Sequence, residues 1–74
     1  MYTNTVDVKV EISETILNME KPFKLSQLYI ELERKGIVDK YMILDVLNQL
    51  YESGMVDKTD VEDDTPEYQS NFKN

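Results

Sequence analysis

The stretch DKYMILDVLNQLYESGMV, residues 39–56, decides the fold because it marks both ends of a helix and its buried side. Asp39 stands where a helix N-cap carboxylate accepts the free amides of the first turn. Gly54 is the residue type that most readily takes the left-handed conformation after a helix. The sequence therefore predicts a helix over residues 40–53. Its apolar positions recur at helical spacing on one side: Ile43, Val46, Leu47 and Leu50.

The segment before this helix predicts another, over residues 25–35. Leu25, Leu28 and Leu32 share one face of it with Tyr29, whereas the charged residues lie elsewhere. Pro22 favours an extended entry, and Gly36 favours a stop. Only residues 36–39 separate the two helices, so we expect a helix-turn-helix unit with a fixed crossing angle.

The N-terminal third of the chain permits two interpretations. Val6, Val8, Val10 and Ile12 alternate with charged residues, which is typical of a strand, yet Val8 and Ile12 also begin a helical stripe. A helix over at least residues 13–20 is favoured, because no turn residue interrupts that stretch. Whether residues 5–12 form strand or helix stays open at this point.

The C-terminal part predicts a β-hairpin. Residues 55–61 and 68–72 have the alternation of short strands, and an acidic turn over residues 62–67 joins them, with Pro66 in the loop. We expect one domain over residues 1–74, with residues 1–6 and 73–74 as flexible ends, since a chain of this length has room for one core.

This order of elements resembles the winged helix-turn-helix superfamily, the winged-helix-like DNA-binding domains. The resemblance covers nearly the whole chain, and its most telling residues close the third helix and open the wing: Leu47, Leu50, Gly54, Met55 and Val56. It implies a mainly α fold with a small β-hairpin (α+β), that is, three helices followed by a C-terminal wing. The excess of lysine over arginine, with many Asn, Ile and Tyr residues, hints at a small bacterial or phage protein.

The composition excludes several classes of catalytic and metal-binding site. The chain has no cysteine and no histidine, so thiolate nucleophiles, disulfides and the usual zinc ligands are absent from the sequence. A calcium-loop template starting at Asp60 fails, because Thr65 replaces the required glycine and Asn71 replaces the bidentate glutamate. We therefore expect no cofactor, no metal and no enzymatic activity. No signal peptide or apolar run of membrane length is present, so we expect a cytoplasmic protein without membrane contact.

Charge bears most directly on function. Fifteen acidic against eight basic residues give a net charge of −7, which opposes binding to phosphate backbones. We therefore expect a module that binds a protein through the third helix and an acidic wing. Homodimerisation through the N-terminal segment would be a natural accompaniment in so small a domain. Tyr41, Leu44 and Tyr51 lie off the core side of the third helix, either as partner contacts or as packing under the N-terminal segment or the hairpin.

The resemblance implies that the third helix and the wing carry the site. The candidate partner-binding residues are Tyr41, Leu44, Asp45, Asn48 and Glu52, and the candidate wing residues are Lys58, Asp60, Glu62, Asp63 and Asp64. The first alternative is a DNA-binding transcriptional regulator, whose contacts would be Lys24, Gln27, Lys40, Tyr41, Asn48 and Lys58. The second alternative is an acidic nucleic-acid mimic or phage-type inhibitor that occupies a basic groove of its target.

Overall fold

A computed structural model describes residues 5–59 and 66–71, and it contains helices and strands in the predicted order. The helices span Thr5–Leu17 (α1), Leu25–Glu33 (α2) and Lys40–Glu52 (α3), and the strands span Phe23–Lys24 (β1), Val56–Thr59 (β2) and Glu67–Ser70 (β3). Three helices with a small antiparallel sheet make an α+β domain, as predicted. α2 and α3 both end earlier than expected, at Glu33 and Glu52.

The strand interpretation of residues 5–12 is wrong, because these residues form the first part of α1. A strand would have placed Val8, Val10 and Ile12 on one face, but Ile12 is fully buried while Val10 is 50% exposed. The helical stripe buries Ile12 and Ile16 together, four residues apart. The helix also ends at Leu17, before the predicted end at Glu20.

Local signals set the turn between α2 and α3. Gly36 has φ 85° and Gly54 has φ 86°, so α2 and α3 are each followed by a glycine in the left-handed region, which residues with a side chain rarely adopt. Asp39 Oδ1 accepts a hydrogen bond of 3.1 Å from the Met42 amide, which confirms the predicted N-cap. At the start of α2, the Lys24 amide donates to Gln27 Oε1 at 2.9 Å.

The strands form a three-stranded sheet in the order β1-β3-β2, with both pairings antiparallel. Phe23 of β1 pairs with Tyr68 of β3, and their rings stack with centroids 5.9 Å apart. β2 begins one residue after the predicted start at residue 55, and β3 begins one residue before the predicted start at residue 68. The predicted strand residues 60, 61 and 72 lie outside the described ones, and Pro66 lies just before β3. β3 is therefore the central strand of the sheet.

One core joins all of these elements. Its fully buried side chains come from every helix and from β2: Ile12, Ile16, Leu28, Leu32, Ile43, Leu47 and Val56. α3 supplies Ile43, Val46 and Leu47 to this core, as the sequence predicted. Their burial fixes the rotation of α3 about its own axis, and so determines which of its residues face outward.

Candidate functional site

The outward side of α3 is the candidate site. With its core stripe turned inward, the helix exposes Tyr41, Asp45, Asn48 and Glu52 on the opposite side. Leu44 and Tyr51 lie on one flank, where Leu44 is half-buried. We call the outward side and this flank together the α3 face: Tyr41, Leu44, Asp45, Asn48, Tyr51 and Glu52.

Aromatic groups are the most prominent feature of the α3 face. Tyr41 is 90% exposed, so no described part of the N-terminal helix or the hairpin covers it. Tyr51 is 45% exposed, and the Nζ of Lys58 on β2 lies 5.9 Å from its ring centroid. The hairpin therefore covers part of the Tyr51 side chain, whereas the Tyr41 side chain is almost uncovered.

Asp45 is engaged by neighbouring side chains. Its Oδ2 lies 3.6 Å from Lys9 Nζ on α1 and accepts a hydrogen bond of 3.1 Å from Gln49 Nε2. Both partners of the ion pair are about half exposed, so the pair is screened by water and contributes little to stability. Its consequence is local, since the carboxylate is drawn toward α1 at one edge of the α3 face.

Two lysines lie beside the α3 face, Lys40 as the first residue of α3 and Lys58 on β2. Lys40 Nζ is 5.2 Å from the Tyr29 ring centroid, just as Lys58 Nζ lies near the Tyr51 ring. Such placement over an aromatic face is favourable for a cation. Neither amine forms an ion pair with a carboxylate among residues 5–59 and 66–71. Each end of α3 therefore has a lysine beside an aromatic ring.

The residues predicted for DNA contact are only partly brought together. Lys40, Tyr41, Asn48 and Lys58 lie on or beside the α3 face. Gln27 instead uses its side-chain oxygen to cap the start of α2, next to Lys24, and it lines a groove between α1 and α2.

Two other cations are paired with carboxylates of α1 and α2. Lys35 Nζ lies 2.8 Å from Glu11 Oε2, and an Arg34 guanidinium nitrogen lies 3.5 Å from a Glu31 carboxylate oxygen. The described cations thus do not converge into one positive ridge along the α3 face.

Of the predicted wing residues, Lys58 is exposed on β2. The acidic ones, Asp60, Glu62, Asp63 and Asp64, lie outside the described residues, so their role and the nucleic-acid-mimic hypothesis stay predictions. Sequence reasoning missed Lys9 and Tyr29 as neighbours of the α3 face. No local signal could have found them, because they come from other helices and meet α3 only through its packing.

The side chains of the α3 face are suited to binding and not to catalysis. Phenol rings, an amide and carboxylates can bind a macromolecule, whereas a catalytic pair needs a concave and partly desolvated pocket. In the described part of the chain, no three acidic side chains come close enough together to hold a metal ion. None of the helices described there has the length and apolar character needed to cross a membrane.

Comparison with known proteins defines the fold. No family model matches the chain, and no curated protein matches it by sequence. A solved structure does match, that of the Vibrio cholerae ferric uptake regulator, a protein with DNA-binding domains that undergo a structural rearrangement. The match has a TM-score of 0.73 and 20% identity, and it covers 99% of this chain and 55% of the regulator chain. This likeness shows the fold, which is the winged helix-turn-helix fold.

Proposed function

Starting from a winged helix-turn-helix fold in a chain of net charge −7, we propose that this protein is a non-enzymatic, cytoplasmic module that binds another protein through the α3 face. The observation that carries the proposal is the 90% exposure of Tyr41 on the outward side of α3. A large, amphipathic ring left in water by its own domain is suited to a contact with a second molecule.

The neighbours of Tyr41 support this assignment. Tyrosine is enriched among the residues that carry most of the binding energy in protein interfaces, where it is surrounded by apolar contacts that exclude water. Leu44 and Tyr51 supply such contacts on the same face, and Asn48 supplies an amide for hydrogen bonds. The α3 face therefore combines exposed aromatic rings with polar side chains, which is a composition that protein interfaces favour.

The charge distribution favours a protein over nucleic acid. Affinity for a phosphate backbone comes largely from lysine and arginine contacts. Lys9 and Lys35 are held by carboxylates of this chain, and Glu52 adds a negative charge to the α3 face itself. The sequence joining β2 to β3 carries four further carboxylates at positions 60, 62, 63 and 64. A partner with a basic surface would be attracted to this combination.

Affinity capture with paired variants tests the proposal. Tyr41→Ala and Leu44→Ala, tested singly and together, should keep the far-UV circular dichroism of the wild type and lose at least about tenfold in partner capture, since a central contact is worth about 1.4 kcal/mol or more. Val10→Ala is the matched control, because Val10 is an exposed apolar residue of α1 outside the α3 face. Equal capture by the wild type and the double variant would contradict the proposal, and unfolding of the double variant would place these residues in the core.

DNA binding is the second candidate, and two observations favour it. The fold matches that of a regulator with DNA-binding domains, and Lys40 and Lys58 flank α3 without a carboxylate partner among the described residues. If this candidate is right, the protein retards random duplex DNA at low salt, and the double variant Lys40→Ala, Lys58→Ala abolishes retardation while Lys9→Ala does not. Absence of retardation at about 100 μM protein would reject it.

Homodimerisation stays a prediction as well. The segment proposed to mediate it begins at residue 1, and residues 1–4 lie outside the described ones. Sedimentation equilibrium at two ionic strengths tests it. A dimer that forms only at high salt would indicate that repulsion between two chains of net charge −7 opposes association at low salt.

A further inference from the structure

An open groove of about 770 Å³ runs between α1 and α2, on a part of the surface separate from the α3 face. Its walls are the outward flank of the last turns of α1 and the outward side of α2, and the turn before β1 closes one end. α1 meets α3 through Lys9 and Asp45 on its other flank. A ligand in the groove would therefore leave the α3 face accessible.

The groove contains an apolar contact that the fold does not use. Ile30 is 54% exposed and lines the groove, whereas Leu28 and Leu32 on either side of it are fully buried in the core. Met19 and Phe23 line the same groove and belong to the apolar cluster or pack against it. An aliphatic side chain entering the groove would therefore find apolar surface along its path.

The charges around this apolar surface are mostly negative. Four carboxylates and two amines line the groove, an excess of two negative charges: Glu11, Glu14, Glu20 and Glu31 against Lys21 and Lys35. Glu11 is neutralised by Lys35 at 2.8 Å, and Glu31 is paired with Arg34. Glu14 and Glu20 are exposed and form no ion pair within residues 5–59 and 66–71, so they are the carboxylates available to a ligand.

We propose that this groove docks a basic segment of a second protein, with an aliphatic side chain against Ile30 and lysine or arginine side chains near Glu14 and Glu20. Charge selects this occupant. A nucleic acid or a second copy of this chain would bring more negative charge to a surface that already carries an excess of it. The proposal does not depend on the α3 face, and if both hold, the domain bridges two protein segments.

Titration with short peptides, followed by the backbone amide signals of the full chain, tests the proposal. The probe is an acetylated and amidated Lys-Lys-Leu-Lys-Lys peptide, and the control peptide has glycine in place of leucine. We expect the largest shifts at Glu14, Glu20 and Ile30, and an affinity about tenfold higher for the leucine peptide. Raising the salt concentration should weaken both peptides, because the attraction is partly between exposed charges.

Two variants separate groove binding from general attraction to an acidic protein. Ile30→Ser should remove the advantage of the leucine peptide, and Val10→Ser, at a similarly exposed residue of α1, should keep it. Equal affinity for the two peptides, largest shifts at residues 60–64, or no binding at millimolar peptide would each overturn the proposal. The peptide comparison uses only the wild type, so it decides the matter even if a variant fails to fold. A negative result here leaves the capture experiment on Tyr41 unaffected.

Discussion

A contact between α1 and the turn after α2 gives a quantitative prediction. Lys35 Nζ lies 2.8 Å from Glu11 Oε2 and donates a second hydrogen bond of 2.8 Å to Thr15 Oγ1. Thr15 is buried, and its hydroxyl in turn donates to the Glu11 carbonyl oxygen at 2.9 Å. Removing the lysine therefore leaves the threonine donor satisfied and removes mainly the charge interaction.

The strength of this ion pair follows from its exposure. The Lys35 side chain is 39% exposed and the Glu11 side chain 24%, so the pair is neither a free surface pair nor a buried one. Exposed pairs are worth about 0–1 kcal/mol and buried ones cost several kcal/mol when broken, which places the coupling at about 1 kcal/mol at low salt. Added salt of about 0.5 M should reduce it to roughly half.

A double-mutant cycle with Lys35→Met and Glu11→Gln measures this coupling. Glu11 has a further interaction, so the stability lost in Glu11→Gln exceeds the contribution of the ion pair alone. The double-mutant cycle isolates the coupling energy between the two side chains. Unfolding in urea, followed at the helical circular dichroism band, gives the four free energies of unfolding. A coupling below about 0.3 kcal/mol at low salt, or one that grows with salt, would refute the assigned geometry.

Four further predictions concern stability. Asp39→Ala should lower the free energy of unfolding by about 1 kcal/mol and Asp39→Asn by much less, as measured in urea, because only alanine removes the acceptor for the Met42 amide. Gly54→Ala meets no atom within 4 Å, so its cost of about 1 kcal/mol in the same assay comes from the left-handed backbone alone. Leu47→Ala should cost about 2–5 kcal/mol and leave a domain of this size largely unfolded by circular dichroism, whereas Tyr41→Ala should change stability by less than about 0.5 kcal/mol. Raising NaCl from about 20 mM to about 200 mM should raise the melting temperature, because screening relieves the repulsion of a net charge of −7 by more than it weakens the exposed ion pairs, and a lower melting temperature would contradict this balance.

The helix-turn-helix unit could be predicted because its signals are local. Asp39 caps the helix that it precedes, and Gly36 and Gly54 end the helices that they follow, so each boundary depends on a few neighbouring residues. The apolar stripe of α3 has one period only and fits no strand. Prediction of α3 therefore required no knowledge of the rest of the chain.

The N-terminal helix could not be settled in this way. Val8 and Ile12 belong both to an alternating pattern and to a helical stripe, and β-branched residues favour the strand locally. The helix forms because it packs Ile12 and Ile16 against the other helices and leaves Val10 exposed. At such positions the burial of large apolar side chains stabilises the helix by more than the local strand propensity of β-branched residues opposes it.

Only part of the candidate site could be predicted, because some of its residues are placed by α3 alone and others by contacts between helices. Tyr41, Asn48 and Glu52 lie outward because the core stripe of α3 fixes its rotation. The pairing of Asp45 with Lys9 was not predicted, because it depends on how α1 crosses α3. The groove at Ile30 likewise depends on the spacing of two helices, and a single exposed isoleucine in a sequence gives no sign of it.

The core of α3 and its outward face are under separate physical constraints, and this separation bears on function. Ile43, Val46 and Leu47 must fill the space between the helices, so a chain with this fold keeps apolar residues there whatever it binds. No such constraint acts on Tyr41, whose side chain touches little of its own domain. The proposal that the α3 face binds another protein therefore rests on a position that the fold leaves unconstrained, and the net charge of −7 is what favours a protein over a phosphate backbone in that proposal.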